Sequence, residues 1–147
     1  MPKILLIEDE PSSVTSLIAE LKREGYEVIP AYSYNSAIGL WREYKGDFDC
    51  IVLDLKIDPD GLNENQIDEY SPVHGILVLD KICKGKIPDK SEEATKIWNK
   101  TIIHSGYTKE LKKYSKYESL KKISKGGASI SEVFAKVKEI INHNANN

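Results

Sequence analysis

Short apolar runs alternate along this chain with longer segments whose apolar residues return every three or four positions. The runs Lys3–Ile7, Glu27–Tyr32, Cys50–Leu53, Thr101–His104 and Leu120–Ser124 are short and rich in β-branched residues, as buried strands are. Between them lie helical patterns. Ser12–Glu24 carries Val14, Leu17, Ile18 and Leu21 at helical spacing and stops at Gly25, and Ser33 caps a segment with Ala37, Ile38, Leu40, Trp41 and Tyr44. Gly75–Cys83, a segment near Thr108–Ser115, and a last one from Ser129 with Ile130, Val133, Phe134, Val137, Ile140 and Ile141 complete the set. Strand followed by helix, repeated along the chain, predicts an α/β fold: a doubly wound five-stranded parallel sheet with helices on both faces and right-handed crossovers. Two polar stretches, 58–74 and 84–99, exceed usual loop lengths. They are expected to be insertions, the second with room for a helical turn starting at Ser91.

Composition narrows the setting. At 147 residues the chain is expected to form one domain, 1–147, with a core that needs no staple. A net charge of −2 with 30% charged residues exerts no general pull on nucleic acid. Cys50 falls in a strand run and Cys83 in a helical one, so both read as buried thiols in a reducing, cytoplasmic setting. No apolar run reaches membrane-spanning length, and Met1-Pro2-Lys3 leads straight into a strand, so neither a span nor a signal peptide is expected. Asn142 to Asn147 reads as a frayed tail.

The chemistry sits where the apolar runs end. Glu8-Asp9, Asp54, Ser105 and Lys125 each follow or close a strand run, and parallel sheets bind ligands outside the carboxyl ends of their strands. Three carboxylates there suit one hard cation. Magnesium takes oxygen ligands, commonly one or two carboxylates with water and a phosphate oxygen. Asp9 and Asp54 suit direct ligation, the Lys56 backbone carbonyl is near enough in chain to add an oxygen, and Glu8 would act through water. A carboxylate beside such an ion can also attack phosphorus. Lys125 would meet phosphoryl oxygens with a compact positive charge, and Ser105 would offer a hydroxyl once phosphate is present.

These residues resemble the receiver domains of two-component response regulators, over about Lys3 to His143. "ILLIEDEP" is similar to the family's acidic pair after the first strand, and "DCIVLDLKI" to its phosphoacceptor strand, with Asp54 as acceptor. "IIHSGY" is similar to the strand ending in the switch hydroxyl, with small Gly106 beside Ser105, and "ISKGG" to the lysine after the fifth strand. The resemblance implies a flavodoxin-like fold and a stand-alone receiver. A histidine kinase or histidine phosphotransfer protein would phosphorylate Asp54 with magnesium present, with Ser105 as switch hydroxyl and Lys125 as phosphate contact. The signal would pass to a downstream protein through the surface formed by the last two helical segments and the fifth strand, and direct nucleic-acid binding is disfavoured. The chain departs from the pattern in three places. Gly126 stands where receivers carry proline after the lysine, Asp58 where they carry proline after the acceptor, and Lys122 where they carry the switch aromatic. Burying an unpaired ammonium costs several kcal/mol, so Lys122 is expected to stay outward.

Rival readings remain at this level. A haloacid-dehalogenase type of phosphohydrolase also uses an aspartyl phosphate, but wants a second acid where this chain has Lys56. A pseudo-receiver that binds partners and never takes phosphate is kept open by Gly126 and Lys122. Asp58 to Glu69 imitates part of an EF-hand loop but has Leu62 at the fifth position and lacks the required glycine at the sixth, so calcium is not expected. The 58–74 loop is expected to cover or flank the acidic rim, since it leaves from the same strand end as Asp54, while most of its own acids (Asp58, Asp60, Glu64, Asp68, Glu69) are expected to be solvated rather than to tune the metal. Lysines 109, 112, 113, 116, 121, 122 and 125, interleaved with Tyr107, Tyr114 and Tyr117, read as a solvated face or as a docking patch for an acidic partner. His104 reads as a packed core residue.

Overall fold

β1 (Lys3–Ile7), β2 (Glu27–Ala31), β3 (Cys50–Leu53), β4 (Thr101–Ser105) and β5 (Lys121–Ser124) pair in parallel in the order β2-β1-β3-β4-β5. This is the computed structural model of the chain, and it describes residues 1–145. Each strand passes its side chains alternately to the two faces. Leu5, Ile7, Ile51, Leu53 and Ile103 join the core under α2 (Tyr34–Glu43), α4 (Ile76–Ile82) and α5 (Glu92–Asn99). Ile4, Leu6, Cys50, Val52 and Ile102 join the core under α1 (Thr15–Arg23) and α6 (Ser129–Ala145). The strand order reverses between β1 and β3, so a crevice opens at their carboxyl ends.

Local chemistry explains where the helices begin. Pro11 opens a 3-10 turn through Val14, which takes the place of the helix start expected at Ser12. Ser33 caps α2 as expected: its Oγ accepts from the Ser36 N–H at 3.0 Å, and Ser36 Oγ accepts from the Ser33 N–H at 2.9 Å. The polar stretch 58–74 hides a helix, α3 (Glu64–Tyr70). Asn63 Oδ1 accepts from the Gln66 N–H at 2.9 Å, and Gln66 Oε1 accepts from the Asn63 N–H at 3.1 Å. Ser91 likewise caps α5 through the Ala94 N–H, so the turn expected there is a full helix.

One expected helix is absent as such. In place of Thr108–Ser115 the chain makes two 3-10 turns, Glu110–Lys113 and Ser115–Tyr117, which bury Leu111 and Tyr117. Lys109, Lys112, Lys113 and Lys116 would stack like charges at the three- and four-residue spacing of a regular helix, which works against it. At the other end α6 continues through Ala145: Val133, Val137, Ile140 and Ile141 bury one face of it up to residue 141, and the exposed last turn stays helical where fraying was expected. Asn146 and Asn147 lie outside the described residues.

Candidate functional site

The crevice collects the expected side chains. Glu8, Asp9 and Asp54 each offer a carboxylate oxygen, and these atoms lie within 4.8 Å of one another. Lys125, delivered by the turn after β5, donates to Glu8 Oε1 at 2.5 Å and to Asp54 Oδ2 at 2.9 Å. A cavity of about 220 Å³ opens between Glu8, Asp9, Asp54 and Lys125 on one side and Gly106 and Tyr107 on the other. Lys56 also lines it, with its ammonium 5.7 Å from the centre of the Tyr107 ring.

Glu8, Asp9, Glu10 and Asp54 against Lys56 and Lys125 leave the cavity lining short of positive charge. Burial, and then the charge of Asp54, push the Glu8 carboxyl up to about 7 despite its bond to Lys125. Asp9, at the exposed lip, is raised by the same two causes in the same order. Burial works against the charge on Lys125, but its bonds to Glu8 and Asp54 outweigh that and hold its pKa above the ordinary lysine value. Asp54 Oδ1 is buried with no hydrogen-bond partner. An all-oxygen donor set with a spare buried oxygen and excess negative charge fits a hard divalent cation.

Ser105 is fully buried at the end of β4, and its Oγ accepts from the Tyr107 N–H at 3.1 Å. Its own carbonyl accepts from the Lys125 N–H at 3.0 Å, which ties the end of β4 to the lysine turn. Gly126, which stands where receivers carry proline, takes φ +123°, open to glycine and closed to proline. The turn is braced from beneath. Ser129 Oγ accepts from the Gly126 N–H at 3.2 Å and lies 3.0 Å from His104 Nε2. His104 is buried as expected, and through Ser129 it is linked to the turn that carries Lys125. Burial, followed by the charge of Lys125, pulls its pKa down to about 4, so the ring is neutral.

Gly75 is the residue that sequence reasoning missed. The first turn of α4 comes down on β3 so closely that a Cβ at Gly75 would lie 2.1 Å from the Asp54 carbonyl oxygen. The Gly75 N–H donates to the Leu55 carbonyl at 2.6 Å. Its position just before an apolar helical run was the available signal.

Other expectations are revised. Lys122 is half-buried, and its ammonium donates to the Glu118 carbonyl at 2.9 Å and the Leu120 carbonyl at 3.0 Å. Paired with backbone, it avoids the cost that was to keep it outward. Lys116 pairs with Asp80 at 2.8 Å and Lys125 is in the site, so the lysine face is smaller than its sequence count. The start of the inserted loop is tied by its backbone to α2, and Asp58 Oδ1 accepts from the Asp60 N–H at 3.0 Å. Asp58 and Asp60 give their carbonyls to the N–H groups of Tyr34 and Asn35 at the start of α2, at 3.0 and 2.9 Å.

Comparison with known proteins bears on the fold. No family model matches the chain. Protein PilH of Pseudomonas aeruginosa is 26% identical over 104 residues, covering 68% of this chain and 78% of PilH. The receiver domain of the Francisella response regulator 1452 superposes with a TM-score of 0.66 at 20% identity, covering 98% of this chain and 99% of that one. The non-phosphorylated HemR receiver domain of Leptospira biflexa gives 0.64 at 22% identity, covering 96% and 94%. TrrA, a response regulator protein of Thermotoga maritima solved in complex with Mg2+ and BeF, gives 0.60 at 23% identity, covering 95% and 99%. The fold is that of response-regulator receiver domains. Among the described residues no helix is long and apolar enough to cross a membrane.

Proposed function

We propose that this chain is a receiver that accepts a phosphoryl group on Asp54 from a phosphohistidine, carried by a histidine kinase or a histidine phosphotransfer protein. The observation that carries the reading is the convergence of Glu8, Asp9 and Asp54 around an unpartnered Asp54 oxygen, with Lys125 bonded to the other oxygen. In the transfer a carboxylate oxygen of Asp54 forms an O–P bond as the donor's N–P bond breaks, and the imidazole leaves. Asp9, Asp54 and the Lys56 carbonyl would hold magnesium, with Glu8 acting through water. Magnesium, when bound, supplies positive charge against the phosphoryl oxygens.

The remaining work belongs to the chain's own groups. Lys125 moves its bond from Asp54 to a phosphoryl oxygen. Ser105 turns its hydroxyl toward another, and Gly106 leaves room for it. Hydrolysis of the acyl phosphate ends the signal. The role is that of a switch that changes a protein-binding surface. A small phosphodonor with magnesium is expected to add the mass of one phosphoryl group to the chain, and Asp54→Ala to abolish the gain. An unchanged mass under conditions that label another receiver overturns the proposal in favour of a non-phosphorylated interaction module.

A further inference from the structure

The insertion between β3 and α4 leaves the site beside Asp54 and returns to it at Gly75, and on the way it carries α3. That helix is thinly held. None of its seven residues is buried. Its last residue, Tyr70, stacks on Tyr114 with ring centroids 5.3 Å apart and planes 16° apart. The Tyr114 hydroxyl donates to the Glu69 carbonyl at 3.1 Å, and His74 Nε2 lies 2.9 Å from the Ile67 carbonyl.

Tyr114 is the far end of the segment that starts at Ser105. That segment begins on the Ser105 hydroxyl through the Tyr107 N–H, forms part of the cavity wall at Gly106 and Tyr107, and reaches Tyr114 with only a 3-10 turn between. The site therefore touches α3 by two routes: along the chain through Gly75, and across space through Tyr114.

We propose that α3 is an intramolecular cover on Tyr114, held by the Tyr70–Tyr114 stack and released when Asp54 is phosphorylated. It rests on the phosphoacceptor reading above. A phosphoryl group fills the cavity against Gly106 and Tyr107, and Ser105 reorients toward it, so the segment that begins on Ser105 shifts. Tyr114 shifts with it, and the ring stack and the bond to Glu69 part together. The half-buried edge of Tyr70 on the core and the His74 contact to the Ile67 carbonyl are then all that hold α3, so it lets go, and a helix this short does not persist alone in water. Release uncovers the faces of Tyr70 and Tyr114.

Hydrogen exchange on the full chain tests this, with the mass at Asp54 read in the same samples. Phosphorylation is expected to speed exchange over residues 63–71 by about three- to tenfold, the range that loss of one aromatic pair gives. Tyr70→Ala should exchange at the faster rate without phosphodonor and still gain mass at Asp54. Tyr114→Phe, which keeps the ring and loses the bond to Glu69, should lie between. Mass gain with unchanged exchange over 63–71 overturns the release and leaves the phosphoacceptor reading standing. No mass gain removes that reading and the release with it. Wild-type exchange in Tyr70→Ala overturns the stack as the holding contact.

Discussion

Gly75 and Asp54 touch through their backbones: a Cβ on Gly75 would stand 2.1 Å from the Asp54 carbonyl oxygen. Nothing flexible lies there to give way, so Gly75→Ala must push α4 off β3 or tilt the Asp54 peptide. The expected cost is about 1–3 kcal/mol in chemical denaturation, with slower phosphorylation of Asp54. Gly39, inside α2 with open space around its Cβ direction, is the control. Gly39→Ala should gain about 0.5–1 kcal/mol. Equal stability of the two variants would mean that the close approach is not required.

The acidic residues should rank by their place around the cation. Asp9→Asn is expected to weaken magnesium binding roughly tenfold or more in calorimetric titration, because it removes a directly ligating oxygen at the open lip. Glu8→Gln should do less, since Glu8 is already engaged by Lys125. Asp58 and Asp60, which are not among the carboxylates that converge with Glu8, Asp9 and Asp54, should matter least. If either outranks Asp9, the ion sits elsewhere.

His104 gives a pH dependence of known sign. Its folded pKa, about 4, lies below the ordinary value of 6.5, chiefly through burial. The unfolded chain therefore binds the extra proton first. The contribution to stability is fully present above about pH 6.5 and is lost as pH falls through 4, with an upper limit of about 3 kcal/mol. Glu8 acts in the opposite sense, because its folded pKa of about 7 is above its ordinary 4.5. The difference between wild type and His104→Gln isolates the histidine: it should shrink as pH drops from 7 to 5. Parallel curves would show that His104 titrates normally.

The sites at strand ends were legible because the pattern is local. Glu8-Asp9, Asp54 and Lys125 each terminate or follow a short apolar run, and parallel pairing brings such ends together whatever lies between. Gly75 was not legible as a site residue, since its constraint comes from a carbonyl on another element. The capping pair Asn63 and Gln66 was readable in principle, but the polar residues around it masked the helix. A helix near Thr108–Ser115 follows from the strand–helix alternation, while repulsion among Lys109, Lys112, Lys113 and Lys116 favours the tighter 3-10 turns. Lys122 was judged as a side chain facing either water or core, and a bond to nearby backbone carbonyls was the third option.

Lys125 is the single positive charge bonded to both Glu8 and Asp54, and its removal should be partly repaired by a cation. Lys125→Met keeps the apolar stem and takes away the ammonium, leaving two buried carboxylates facing each other. Breaking such a bridge costs more than its net worth, because the partners stay desolvated. Lys125 is itself 27% exposed at its side chain, which screens part of the effect. A loss of about 1–3 kcal/mol at neutral pH in the presence of a chelator is the expected result. Magnesium brings charge to the same carboxylates from the Asp9 side. It should therefore raise the melting temperature of Lys125→Met by more than it raises that of the wild type. Phosphorylation should stay slow even with the ion present, since the ammonium that would meet the phosphoryl oxygens is gone. If magnesium shifts both proteins equally, the lysine and the ion do not share the same carboxylates, and the charge balance of the site must be drawn differently.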